Sequence, residues 1–191
     1  MDLTNLATIR IAACDLNGQM RGKRMPSSMS AKLDQGAARM PLSALNVDLF
    51  GCDIENSPLV FETGDADGIL RPTDRGAVPM PWLATQTALV PMAMYHDDQT
   101  PFPGDPRHAL ADVLARYAKR GWSVLAATEM EFTLVDASGP TPQPPLNPVT
   151  GRRVKNEAVL SVDQLDAFDA FFTDLYEGAA QMAIPAQAAI S

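Results

Sequence analysis

Proline punctuates this chain and limits where its elements can run. Its ring removes a backbone donor and fixes φ at about −65°, so it favours strand ends, first helical positions and loops. There are 16 prolines in 191 residues, and they fall in clusters. From Thr8 to Leu16, Ile9, Ile11 and Ala13 alternate with polar or small residues, the pattern of a half-buried strand. Asn17-Gly18 follows, a hairpin signal because both residues tolerate positive φ. The return strand is expected from Gln19 to Met25, stopping at Pro26. Ser30 to Met40 reads as a short helix bounded by Pro41, and Leu42 to Phe50 as a strand. Val78-Pro79-Met80-Pro81-Trp82 is a stiff extended stretch. Thr87 to Tyr95 reads as a strand that Pro91 demotes to an edge or a bulge.

The character changes near residue 100. Asp105 suits a helix N-cap and Pro106 the first helical position. Leu110, Val113, Leu114 and Tyr117 then recur at helical spacing, and Gly121 ends the helix. A strand is expected over Trp122 to Val135, followed by a Pro-rich loop from Gly139 to Pro148. Ser161 and Gln164 form a capping box that opens a second helix. Its apolar stripe is Leu165, Phe168, Phe172, Leu175 and Ala179, and Pro185 closes it off.

Composition narrows the class. Hydrophobic residues at 46% and charged residues at 20% describe a globular chain. A net charge of −8 makes a poor partner for nucleic acid or an anionic membrane. No apolar run approaches the ~20 residues of a membrane span. The N-terminus lacks the basic and apolar regions of a signal peptide. Cys14 and Cys52 have no metal-ligand spacing, so reduced thiols in a cytoplasmic protein are expected.

The chemistry concentrates at Glu129-Met130-Glu131-Phe132. Strand side chains alternate faces, so Glu129 and Glu131 point one way while Met130, Phe132 and Leu134 point into a core. Adjacent carboxylates repel and raise each other's pKa. A divalent cation removes that conflict, and hard oxygen donors suit magnesium or manganese. The alternative is a solvent-facing strand with each Glu paired to a neighbouring cation. Arg21, Lys23 and Arg24 form a basic cluster, read either as a solvated strand face or as a contact with an acidic ligand or a neighbouring subunit. His96 and His108 lack a companion at ligand spacing and read as surface or capping residues. Gly64-Asp65-Ala66-Asp67-Gly68 reads as a turn rather than a calcium loop, whose other ligands are missing. No Gly-rich dinucleotide or Walker loop is present.

Glu129-Met130-Glu131-Phe132-Thr133-Leu134 resembles the first metal motif of the glutamine synthetase family, a strand reading E-x-E-F. Other segments resemble that family in the same order. They are Asn17-Gly18 to Pro26, Gly64 to Trp82, Phe102-Pro103-Gly104-Asp105-Pro106-Arg107 and Ile184-Pro185-Ala186. Within the family the likeness is strongest to γ-glutamylputrescine synthetases and related γ-glutamyl-polyamine ligases. It rests on Pro142-Gln143-Pro144-Pro145, Pro148, Gly151, Arg152 and Ser161 to Asp166. Phe50-Gly51-Cys52-Asp53 stands where glutamine synthetases that use ammonia carry an Asp-Gly-Ser-Ser loop. That loop helps form their ammonium site from a neighbouring subunit, so the change favours a larger amine, with Asp53 taking over part of the loop's role. Leu160 replaces an aromatic residue of many relatives.

The resemblance implies an α+β chain. Residues 1–98 are expected to form a β-grasp-like N-terminal domain, and 99–191 the truncated start of a catalytic domain with an antiparallel sheet and flanking helices. It implies an ATP-dependent carboxylate–amine ligase acting through γ-glutamyl phosphate on glutamate and a small amine, putrescine or another polyamine or monoamine being favoured. Glu129 is then a ligand of the Mg2+ or Mn2+ ion nearest the ATP phosphates, and Glu131 of the ion nearest the glutamate side chain. The family assembles in rings of five or six subunits, usually stacked in pairs. Further metal glutamates, a histidine ligand and substrate-binding arginines are expected beyond Ser191, so these residues alone are expected not to catalyse ligation. Two alternatives stay open: a glutamine synthetase using ammonia, and a non-catalytic β-grasp module for assembly or regulation.

Overall fold

The computed structural model describes residues 2–155 and 159–190. The alternating segment forms β1 (Thr8–Cys14), with Ile9, Ile11 and Ala13 buried. It pairs antiparallel with β2 (Met20–Pro26), Thr8 opposite Pro26 and Cys14 opposite Met20. The connection is longer than an Asn-Gly two-residue turn. Asp15 N donates to Gln19 O at 2.9 Å, and Gly18 N to Asp15 O at 3.1 Å. Gly18 alone in this loop takes positive φ (79°). This is a type I turn followed by a left-handed residue. It forms because the Asp15 carboxylate captures the Asn17 and Gln19 amides, each at 2.8 Å.

Two expectations for the next segment are corrected. Residues 27–32 form a 3-10 helix, and the backbone turns at Gly36 (φ 66°) before the short β3 (Arg39–Pro41). Leu42–Leu45 is a second 3-10 helix rather than a strand. Leu42, Ser43 and Leu45 are all buried, a spacing that strand alternation cannot satisfy. A single helical turn, α1 (Pro58–Phe61), follows. Gly64 and Asp65 then turn the chain with positive φ. The Asp65 carboxylate accepts a hydrogen bond from Ser43 Oγ at 2.5 Å, and Asp67 opens β4 (Asp67–Pro72).

β5 (Val78–Pro79) and β6 (Thr87–Tyr95) complete a mixed six-stranded sheet of order β2-β1-β6-β4-β3, with β5 also on β6. β6 has the expected bounds but is central, not an edge strand. It runs parallel to β1 up to Ala12↔Pro91 and antiparallel to β4 from Pro72↔Met92. Pro91 sits at this handover, where its missing N–H costs little. The core gathers Ile9, Ile11, Leu45, Leu70, Met92, Met94 and Phe102. Burying each such side chain contributes about 1.5–3 kcal/mol.

α2 (Pro106–Ala118) begins as expected, with Asp105 as N-cap. Gly121 takes positive φ (73°) just beyond its end. Leu110, Val113, Leu114 and Tyr117 are all exposed along it. The expected strand from Trp122 to Val135 carries no ladder. Its backbone has no pairing strand among the described residues, and strand pairing requires one.

Residues 1–125 and 126–191 form two compact units. In the second, bridges Asp136↔Gln143 and Leu146↔Arg153 shape the Pro-rich loop. Arg153 Nη1 donates to Asp136 Oδ2 at 3.1 Å and to Pro144 O at 2.7 Å. The Asp136 carboxyl is held below its usual value, first by hydrogen bonds from Ser138 and then by Arg153. The expected single helix is two, α3 (Val162–Ala167) and α4 (Asp169–Gln181). Ser161 caps α3 by accepting from Gln164 N, as the capping box requires. Phe168, at φ −109° and ψ 25°, leaves the helical region and separates the two.

Candidate functional site

Glu129 and Glu131 lie in the second unit on backbone that forms neither strand nor helix, both exposed. Phe132 is itself exposed, and its ring lies 5.9 Å from that of Phe171 on α4, which in turn meets Phe172 edge-on at 5.2 Å. The expected inward face is only partly formed: Leu134 is half-buried, while Met130 is 87% exposed. Glu129 and Glu131 engage no cation, so the alternative of ion-paired carboxylates on a neighbouring strand finds no support among the described residues. Two unengaged carboxylates are the hard, charged oxygen donors that magnesium or manganese takes. Among the described residues no group of three or more His, Cys, Asp or Glu side chains converges on one point. Two carboxylates of this chemistry would complete only part of such an ion's ligand shell.

Asp53 lies in the first unit, exposed and bridged to Val47. The loop before it is closed by Asp48, whose Oδ1 accepts from Phe50 N at 2.9 Å and Cys52 N at 2.8 Å. Leu49 and Phe50 project outward. Cys14 is half-buried and Cys52 exposed, both as free thiols.

The basic cluster divides three ways. Arg21 Nε pairs with Asp15 Oδ2 at 2.8 Å, Lys23 Nζ donates to Arg39 O at 2.6 Å, and Arg24 Nε donates to Thr8 Oγ1 at 3.1 Å. His108 lies in the first turn of α2, with Nε2 2.8 Å from Met94 O and its ring edge-on to Tyr95. His96 meets Phe102 edge-on.

Two buried carboxylates carry more structure than the sequence reading assigned them. Asp15 is 1% exposed. Burial disfavours its charge, but Arg21 and the amides of Gln19 and Asn17 outweigh that and hold its carboxyl below the usual value. The one available signal was an acid at the end of an alternating strand, six residues before an arginine. Asp105 is fully buried. Its Oδ1 caps α2 by accepting from Arg107 N, while Oδ2 accepts from Met94 N on β6, both at 2.8 Å. The helix start was legible, but its second attachment was not.

The folded value of Asp15 lies below the unfolded value of about 3.9, so the unfolded chain binds more protons. Its stabilisation is complete above about pH 4 and is lost as pH falls through the folded value. Asp15→Asn is expected to cost about 2 kcal/mol at pH 7 and to shallow the fall in stability below pH 4. Urea unfolding followed between pH 3 and pH 7 checks both.

Residues 103–191 match the sequence pattern of the family described as glutamine synthetase, catalytic domain. The C-terminal part of the chain is thus similar to the catalytic domain of the glutamine synthetase family. It is 32% identical, over 98% of its length, to gamma-glutamylputrescine synthetase PuuA of Escherichia coli (strain K12), and spans 40% of that protein. In fold it is similar to a crystal structure of a novel glutamine synthase homolog, with TM-score 0.67 and 18% identity over 93% of this chain and 39% of that one. It is also similar to apo GmaS, with TM-score 0.64 and 18% identity over 94% of this chain and 38% of that one. The GmaS/ADP complex gives TM-score 0.64 and 20% identity over 93% and 36%. Among the described residues no helix is long and apolar enough to cross a membrane.

Proposed function

We propose that this chain supplies the N-terminal part of an ATP-dependent ligase joining the γ-carboxylate of glutamate to a small amine, putrescine or another polyamine or monoamine. The observation that carries this reading is the 32% identity to a γ-glutamylputrescine synthetase across 98% of the chain. The start of the family match at residue 103 supports a boundary near 98, with a β-grasp-like domain before it and catalytic-domain residues after it. Ligation then needs the remainder of that catalytic domain. The active assembly is a cytoplasmic ring of five or six subunits, usually stacked in pairs.

A γ-carboxylate oxygen of glutamate attacks the γ-phosphorus of ATP, and ADP leaves. The amine lone pair then attacks the acyl carbon of γ-glutamyl phosphate. Phosphate departs with the former carboxylate oxygen, and the nitrogen gives up a proton. Glu129 and Glu131 would each hold a divalent ion, Glu129 on the side of the ATP phosphates and Glu131 on the side of the glutamate. Magnesium or manganese, when bound, neutralises charge on the transferred phosphoryl group. The chain's own contribution is two carboxylates only two residues apart, both exposed, for the ions that would position the substrates. Asp53 offers a carboxylate to the cationic amine.

The test is glutamate- and ATP-dependent phosphate release by the enzyme carrying this chain with its full catalytic domain, comparing putrescine, monoamines and ammonia. The expected result is a kcat/KM for an organic amine at least about tenfold above that for ammonia. A preference for ammonia makes the protein a glutamine synthetase instead. No release with any amine supports a non-catalytic module.

A further inference from the structure

The tip of the β1–β2 hairpin is wired to the loop that precedes Asp53. Asn17 Nδ2 donates to Val47 O at 3.0 Å and to Asp48 O at 3.1 Å, across thirty residues of chain. Leu16 N adds a bond to Leu45 O at 3.2 Å. Arg21 lies over Gly51: a Cβ added there would meet Arg21 Nη1 at 2.9 Å. Gly51 also takes φ 81°, a conformation that side chains disfavour. Asp15 orders both arms, since its carboxylate holds the Asn17 amide and the Arg21 guanidinium together.

The loop has little apolar anchoring of its own. Leu49 is 81% exposed and Phe50 is 90% exposed. Its conformation therefore depends on polar attachments. Asp48 provides those within the loop, Asn17 reaches it from the hairpin, and the Arg21 guanidinium packs over Gly51.

We propose that Asp15, Asn17 and Arg21 form a positioning clamp that holds the 48–53 loop in one conformation, and so places Asp53 for the amine. The clamp follows from the bonds just described, whereas its effect on the amine rests on the reading of Asp53 given above. Asn17 and Arg21 touch no substrate in this scheme. They act through the loop, lowering the ordering cost that the amine would otherwise meet.

Asn17→Asp tests the clamp, because it keeps side-chain size and turn preference while replacing the two donors by an acceptor. Amide hydrogen exchange in this chain is the first readout. The Phe50 and Cys52 amides are expected to exchange at least about tenfold faster in the variant, with those of β1 and β6 unchanged. Unchanged exchange at Phe50 and Cys52 overturns the clamp. Arg21→Lys, which keeps the charge and removes the planar group over Gly51, gives the same comparison should Asn17→Asp fold poorly.

The second readout is kinetic, in the enzyme with its complete catalytic domain. Asn17→Asp is expected to raise KM for the amine about tenfold while leaving KM for ATP within about twofold. A purely structural defect would lower activity towards all substrates together. Faster exchange with an unmoved amine KM keeps the clamp and removes Asp53 from the amine site.

Discussion

Replacing Glu129 and Glu131 by Gln is expected to abolish most ligase activity, with each single change costing about 10²–10³-fold in kcat. The substitution keeps size and hydrogen-bonding shape but removes the negative charge that a hard cation requires. Both side chains are exposed and neither forms an ion pair among the described residues. Folding should therefore be preserved, and far-ultraviolet circular dichroism should match the parent. Manganese titration separates the roles: affinity should fall about 10-fold or more for each single variant. Unchanged manganese affinity in the double variant would show that these carboxylates are not ligands.

The second large effect is on stability. Asp105→Ala is expected to destabilise the first unit by about 2–4 kcal/mol, combining a lost N-cap of ~1 kcal/mol with a buried, unsatisfied strand amide of ~1–3 kcal/mol. The reason is that one carboxylate serves two elements, Oδ1 on the Arg107 amide and Oδ2 on the Met94 amide. Asp105→Asn keeps one oxygen acceptor and should recover roughly half of the loss. Chemical unfolding of the three proteins reads this directly. If Asp105→Ala costs no more than an ordinary exposed N-cap, the bond to β6 contributes nothing.

The local patterns in the sequence mapped well onto elements that depend on nearby residues. The β1 alternation, the bounds of β6, the Asp105–Pro106 helix start and the Ser161 cap are all signalled by residues within a few positions of one another. The misreadings arose where distant residues decide. Pro91 suggested an edge strand, but only the exchange of partners from β1 to β4 explains a proline in the central strand. Leu42–Leu45 looks strand-like until its burial is known. The helix break at Phe168 left no trace in a stripe whose spacing continues through it.

The candidate site divides along the same line. Glu129 and Glu131 stood out by charge and i, i+2 spacing, which are local, although the strand that this spacing implied carries no ladder. Asp53 was reached only through resemblance to a family. The Asn17 bonds to Val47 and Asp48 were invisible, since a residue's partner thirty positions away has no sequence signature, and the Asp15–Arg21 pair showed only as an acid six residues before an arginine. The exposed stripe of α2 likewise shows that helical spacing predicts an apolar face but not what covers it.

The central claim is that a carboxylate oxygen of glutamate leaves with phosphate when an amine is joined. It is tested most directly by supplying glutamate labelled with 18O in its γ-carboxylate to the enzyme with its full catalytic domain, together with ATP and putrescine. The predicted result is one 18O atom in each phosphate released, with γ-glutamylputrescine formed in equal amount. Phosphate free of 18O, or ATP hydrolysis without an amide product, would contradict it.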